Sequence, residues 1–143
     1  MKSNYRLQAS ILIFLLSSAV TTTASAQKKK IIRDNGITHK IEWSYHYIKG
    51  KEIKYKQYEA WYDNMGNIVK EKQYDENGNI TKHIEHTFNK SGNEILRKVY
   101  DSRGALLRKI ETDYNENGLK VEKRVYNSNG KLKQKKVFDY RND

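Results

Sequence analysis

Tyr74-Asp75-Glu76-Asn77-Gly78-Asn79 and Phe88-Asn89-Lys90-Ser91-Gly92-Asn93 share one pattern: an aromatic residue, then Asp or Asn, then glycine three positions on. Working outward, the same unit recurs six times. Its aromatics are Tyr62, Tyr74, Phe88, Tyr100, Tyr114 and Tyr126. The Asx positions are Asp63, Asp75, Asn89, Asp101, Asn115 and Asn127. The glycines Gly66, Gly78, Gly92, Gly104, Gly118 and Gly130 are spaced 12, 14, 12, 14 and 12 residues apart, so the full period is 26.

Asx at the first position and glycine at the fourth suit a type I turn. The Asx side chain accepts a backbone N–H, and glycine takes the positive φ that follows. The segments between turns are rich in Ile, Val, Tyr and Lys and contain no proline, which reads as strands at hairpin spacing. Turn signals recur too often for helices of the usual length. The apolar residues then constrain the turns. Ile80, Ile84 and Phe88 are even-numbered, whereas Ile95, Val99 and then Val121 and Val125 are odd. Only a parity change at each turn collects them on one face. Two-residue loops would demand positive φ at Met65, Ser91 and Arg103, so four-residue loops such as Asp75-Glu76-Asn77-Gly78 are expected. Around Gly50, residues 37–47 and 53–62 continue the pattern. The expected fold is all-β: an antiparallel meander of about eight strands in tandem hairpins, as an open curled sheet or a small barrel.

The N-terminus reads as an export signal. Lys2 and Arg6 are followed by an apolar run from Ile11 towards Val20, and Ala24-Ser25-Ala26 offers small residues for cleavage after Ala26. The run is too short to span a bilayer and holds Ser17 and Ser18. Residues 1–26 are thus expected to leave a single domain, 27–143, in the periplasm or outside the cell. Residues 27–35, beginning with Gln27 and three lysines, are expected to be a flexible arm or a weak edge strand. The chain has no cysteine, so packing and backbone pairing alone must hold it. Removing Lys2 and Arg6 leaves 26 basic against 17 acidic residues, a net charge of +9.

The sequence Tyr74-Asp75-Glu76-Asn77-Gly78-Asn79 resembles the core of YD (RHS-type) repeats and the related bacterial variant of the MORN repeat. The resemblance covers roughly residues 62–130. It departs from the YD pattern in its tight 12/14 spacing and in Phe88-Asn89 and Tyr126-Asn127. It implies an exported β-repeat surface used for wrapping, display or ligand contact, and it carries over no catalytic residue.

Enzyme chemistry has little to stand on. A thiol nucleophile is excluded, and His83 and His86 differ by three along one strand, so they point to opposite faces and do not share a metal. No catalytic residue, metal or cofactor is assigned. A more informative pattern lies on the polar face. Tyr74, Tyr100 and Tyr126 each follow a cation two residues earlier: Lys72, Lys98 and Arg124. They should form a row with steps of ~9.5 Å on every second strand. Such a row suits an anionic polysaccharide, because sugar faces stack on rings and cations meet acidic groups. The plainer reading is strand-end packing by tyrosines with lysines for solubility.

The expected function is therefore a non-enzymatic binding or scaffolding module at the bacterial envelope, with a polysaccharide or an envelope protein as partner. Export makes nucleic acid the poorer partner. A homodimer through the apolar face is compatible with the pattern. Two competing readings are an eight-stranded outer-membrane barrel and an enzyme with its site in residues 37–61. The barrel would set Lys82, Arg97, Arg108 and Lys123 against lipid at up to ~2–4 kcal/mol each, which disfavours membrane insertion.

Overall fold

The computed structural model describes residues 20–142, so most of the export signal lies outside the described residues. One helix, α1 (Val20–Asp34), precedes eight strands: β1 (His39–Ile48), β2 (Lys51–Tyr62), β3 (Ile68–Tyr74), β4 (Ile80–Phe88), β5 (Glu94–Tyr100), β6 (Leu106–Tyr114), β7 (Lys120–Asn127) and β8 (Leu132–Val137). The strands form one antiparallel sheet in chain order, with β1 and β8 as its edges. The sheet is neither closed nor strongly curled. The meander expected from the glycine ladder is what forms, and between barrel and open sheet it takes the open form.

Six turns repeat one geometry. In the β3–β4 turn, Gly78 N–H donates to the Asp75 carbonyl and Asp75 N–H to the Asn79 carbonyl, both at 3.0 Å. The Asp75 carboxylate accepts from the N–H groups of Asn77 and Asn79 at 2.9 and 2.8 Å. Gly78 takes φ +80°, as the Asx-x-x-Gly pattern requires. The expected four-residue loop is corrected, however. Asp75 and Asn79 close a three-residue loop, and the parity change comes from a β-bulge beyond it. Tyr74 pairs with Ile80 but Gln73 pairs with Lys82, leaving Thr81 as the extra residue. The same shift recurs at every turn from β2–β3 to β7–β8. A glycine bulge plus one inserted residue sums to the even offset that the apolar pattern demands. The β1–β2 turn differs: Ile48 pairs with Lys51 across Lys49 (φ 49°) and Gly50 (φ 75°), a two-residue loop with both residues left-handed.

The reading of residues 27–35 as an arm or edge strand is also corrected, because they are helical as far as Asp34. The helix ends in a Schellman motif. Gly36 N–H donates to Arg33 carbonyl and Ile37 N–H to Ile32 carbonyl, both at 3.0 Å, with Gly36 at φ +61°. The motif's apolar clasp is there too, as Ile37 packs against the cluster that holds Ile32. A free helix of this length is marginal in water, and docking is what fixes it. Ile32 is buried with Ala60 and Tyr62, and Tyr58 and Ile68 pack around them. The expected cleavage point after Ala26 falls inside α1, and the anchoring Ile32 lies on the retained side.

The sheet therefore has one face partly covered by α1 over β2–β4 and one bare face. On the covered side, Glu71 pairs with Ile84, Ile84 with Val99, Arg97 with Ile110 and Ile110 with Val125. Ile84 and Ile110 stay buried between neighbouring side chains, so they are shielded strand to strand.

Candidate functional site

On the bare face, the β-pairing places Tyr74, Tyr100 and Tyr126 at the same end of β3, β5 and β7, in the alternate-strand row expected from the sequence. Their hydroxyls are already engaged. Tyr74 donates to Glu59 at 2.6 Å and Tyr100 to Glu85 at 2.7 Å, and Tyr126 lies close enough to Glu111 to join Lys109 in lowering the pKa of that carboxyl. These carboxylates also recur every 26 residues, a periodicity the sequence analysis did not single out. Each stands directly across from one of the proposed cations: Glu59 from Lys72, Glu85 from Lys98, Glu111 from Arg124. Arg124 is bracketed by Glu111, Asp113 and Glu122 at 3.3, 2.8 and 2.9 Å. In this tier Arg124 is thus held in ion pairs, whereas Lys72 and Lys98 face their glutamates in register only, Glu59 being ion-paired to Lys56 instead.

The groups that lie over the tyrosine rings are different ones. Lys56 Nζ sits 4.3 Å from the Tyr74 ring centre and Lys109 Nζ 4.6 Å from that of Tyr126. His83 stacks on Tyr100 at 4.6 Å. Lys56 in turn faces Trp43 across the β1–β2 pair. The result is a lane perpendicular to the strands, alternating ring and nitrogen base: Trp43, Lys56, Tyr74, His83, Tyr100, Lys109, Tyr126. The sequence signal for it was blurred, because the β-bulge beside Gln57 moves Lys56 one position out of the 26-residue phase set by His83 and Lys109.

Electrostatics tie the lane to the tier beneath. Burial pushes the Glu59 carboxyl up, but hydrogen bonds from Tyr74 and Lys56 outweigh it and hold the group below the usual carboxylate range. Burial and the bond to Glu85 push the Tyr100 phenol up to about 12. Burial, reinforced by Lys72, lowers the His83 pKa, so the imidazole over Tyr100 is neutral at pH 7.

The lane is most exposed at β1. Trp43 and Tyr45 lie on the same side, 51% and 47% exposed, with Lys54 Nζ at 4.7 and 5.4 Å from their ring centres. Beside them, Lys70 Nζ lies 4.8 Å over Trp61, which also stacks on His39 at 4.9 Å. A recess of about 360 Å³ lies under α1 between Ile32, Tyr62, Phe88 and Glu94. Among the described residues, no cluster of three His, Asp or Glu side chains is placed to hold a metal ion. Comparison with protein-family models and with curated proteins yields no match for this chain.

Proposed function

We propose that this chain is an exported, non-enzymatic β-repeat module that binds an extended anionic, sugar-containing polymer along the ring-and-base lane of its bare face. The observation that carries this reading is the alternation itself. Rings stand on β1, β3, β5 and β7, with Lys56, His83 and Lys109 between them, and the lane opens at β1 onto the exposed Trp43, Tyr45 and Tyr47. Ring faces stack on the apolar side of sugars, and ammonium groups meet carboxylate or sulfate. The net charge of +11, or +9 once Lys2 and Arg6 are removed, would draw such a polymer in from a distance. Arg124 plays a supporting part, because three carboxylates already hold it, and Lys72 and Lys98 flank the lane on the neighbouring tier. The resemblance to YD repeats favours the same use of the surface, and cleavage after Ala26 belongs to the proposal.

The test is titration of wild type against heparin-like and acidic bacterial polysaccharides at two salt concentrations. Binding should weaken as salt rises, since screening shortens to ~8 Å at physiological ionic strength. Trp43→Ala with Tyr45→Ala should weaken it by more than tenfold, at about 1–3 kcal/mol per lost stacking partner by analogy with base stacking. Tyr74→Ala, Tyr100→Ala and Tyr126→Ala together should weaken it further in a protein that still folds. A folded wild type that binds none of these polymers at low salt would overturn the proposal.

A further inference from the structure

The two edges of the sheet are built differently. Strand β8 is Leu-Lys-Gln-Lys-Lys-Val, exposed at all six residues, with lysines at 133, 135 and 136. A lysine-rich, short edge is how sheets discourage pairing with another chain. Strand β1 is ten residues long and runs without interruption, since the inserted residue at its bulge, Gln57, belongs to β2. Among the described residues nothing pairs with its outer side. It exposes Ile41, Trp43, Tyr45 and Tyr47 on one face, by 40%, 51%, 47% and 72%.

We infer that β1 pairs with β1 of a second copy, antiparallel, about a two-fold axis at Ser44. The register follows from self-complementarity. With Ser44 opposite Ser44, Trp43 faces Tyr45 of the copy, Ile41 faces Tyr47, and Glu42 faces His46, each pair occurring twice by symmetry. Aromatic and hydrogen-bonded polar cross-strand pairs stabilise an antiparallel ladder. Moving the axis to Trp43 sets Lys40 against His46 and strips Glu42 of its partner. Moving it to Tyr45 sets Glu42 against Ile48 and leaves His46 opposite Ser44, so the Glu42–His46 pair is lost, whereas the Ser44 axis sets only Lys40 against Ile48. His46 is able to serve this contact, because its bond to Glu76 uses Nδ1 and leaves Nε2 for Glu42 of the copy.

An axis perpendicular to the sheet keeps like faces together, so the pair forms one sixteen-stranded sheet with both bare faces on one side. Because Trp43 meets Tyr45 of the copy, the two lanes join end to end across the axis. The pairing itself rests on strand β1 alone. It stands or falls independently of the polymer, but it would double the contact length available to one.

The test uses protein in the form the producing cell leaves it. Light scattering should give twice the mass of one chain. Ser44→Lys puts two ammonium groups face to face and should weaken self-association at least tenfold while circular dichroism stays unchanged. The chain has no cysteine, so Ser44→Cys should give a disulfide-linked dimer on mild oxidation. Glu42→Cys, displaced from its own copy by four residues in this register, should not. A single-chain mass at every concentration, or equal cross-linking of the two cysteine variants, would overturn the inference, as would a Ser44→Lys protein that dimerises as tightly as wild type.

Discussion

The strands from β3 to β8 and the segment from α1 to β2 solve the same problem by opposite means. In the former, one short unit is copied. Each turn has the same Asx hydrogen bonds, the same glycine conformation and the same inserted residue, so local chemistry sets the register. In the latter, nothing is copied. The turn at Lys49-Gly50 has no Asx, the inserted Gln57 sits mid-strand rather than beside a turn, and a helix covers the sheet. The most deeply buried residues, Ala60 at 0% and Asn67 at 2% exposed, lie in and beside β2 under that helix. Of the four most exposed aromatics among the described residues, three, Trp43, Tyr45 and Tyr47, lie on β1. Repetition gives a uniform sheet with little core, and the irregular end supplies both the packing anchor and the exposed rings.

Two glycines break this contrast most sharply. Gly66 and Gly78 occupy the same turn position with φ of +77° and +80°. A methyl group at Gly78 would meet nothing within 4 Å, whereas one at Gly66 would come 2.3 Å from the Lys29 carbonyl in α1. Gly78→Ala should therefore cost only the left-handed conformation, about 1–2 kcal/mol. Gly66→Ala should cost about 3 kcal/mol or more, because the helix must also move. Urea denaturation of both variants measures the difference, and equal midpoints would mean that α1 does not rest on that turn.

Next in size is the helix anchor. Ile32 is 7% exposed against Ala60 and Tyr62. Ile32→Ala should cost about 2–3 kcal/mol. Hydrogen exchange should show the loss concentrated in α1, β2 and β3, with β6 to β8 keeping wild-type protection. Uniform loss across all eight strands would show that the repeats depend on the helix as much as the irregular end does.

How far the sequence was legible follows the same division. The fold could be read in the repeats because every decisive group there is local. Asp75, Gly78 and the alternation in 80–88 each act within a few residues. The loop length was misjudged because a three-residue loop and a later bulge produce the same parity change as a four-residue loop. The helix escaped because Asn35-Gly36 reads equally well as a turn. The spacing of Ile32 and Ile37 around Gly36, which marks a Schellman end, was the signal available. The alternate-strand placement of the tyrosines is as the sequence suggests, but the carboxylates beside their hydroxyls are not legible there. Glu59, Glu85 and Glu111 lie on the preceding strand, and only the register brings them under Tyr74, Tyr100 and Tyr126.

The smallest effect sharpens the comparison from within the repeats. Two residues after each ladder glycine stand Ile68, Ile80, Glu94, Leu106, Lys120 and Leu132, so Glu94 puts a carboxylate where four copies carry an aliphatic side chain. It is held by Arg97 at 2.6 and 2.7 Å and approached by His86 at 3.4 Å. Burial works against its charge, but the bonds from His86 and Arg97 prevail and lower its pKa from 4.5 to about 2. A carboxyl whose folded pKa is depressed stabilises the protein above its unfolded value and loses that contribution as pH falls through the folded one. The full shift corresponds to about 3 kcal/mol, and with the Glu94 side chain 26% exposed solvent screening leaves about 1–2 kcal/mol above pH 5, lost progressively between about 4.5 and 2. Glu94→Gln should be less stable than wild type at pH 7 and show a shallower decline in acid, the two curves converging near pH 2. Glu94→Leu, which restores the repeat's aliphatic residue, should lose the same acid dependence while recovering stability at pH 7 through packing. Thermal midpoints of the three proteins across that range decide the matter: parallel acid limbs would show that Glu94 is solvated and that its departure from the repeat carries no energetic weight.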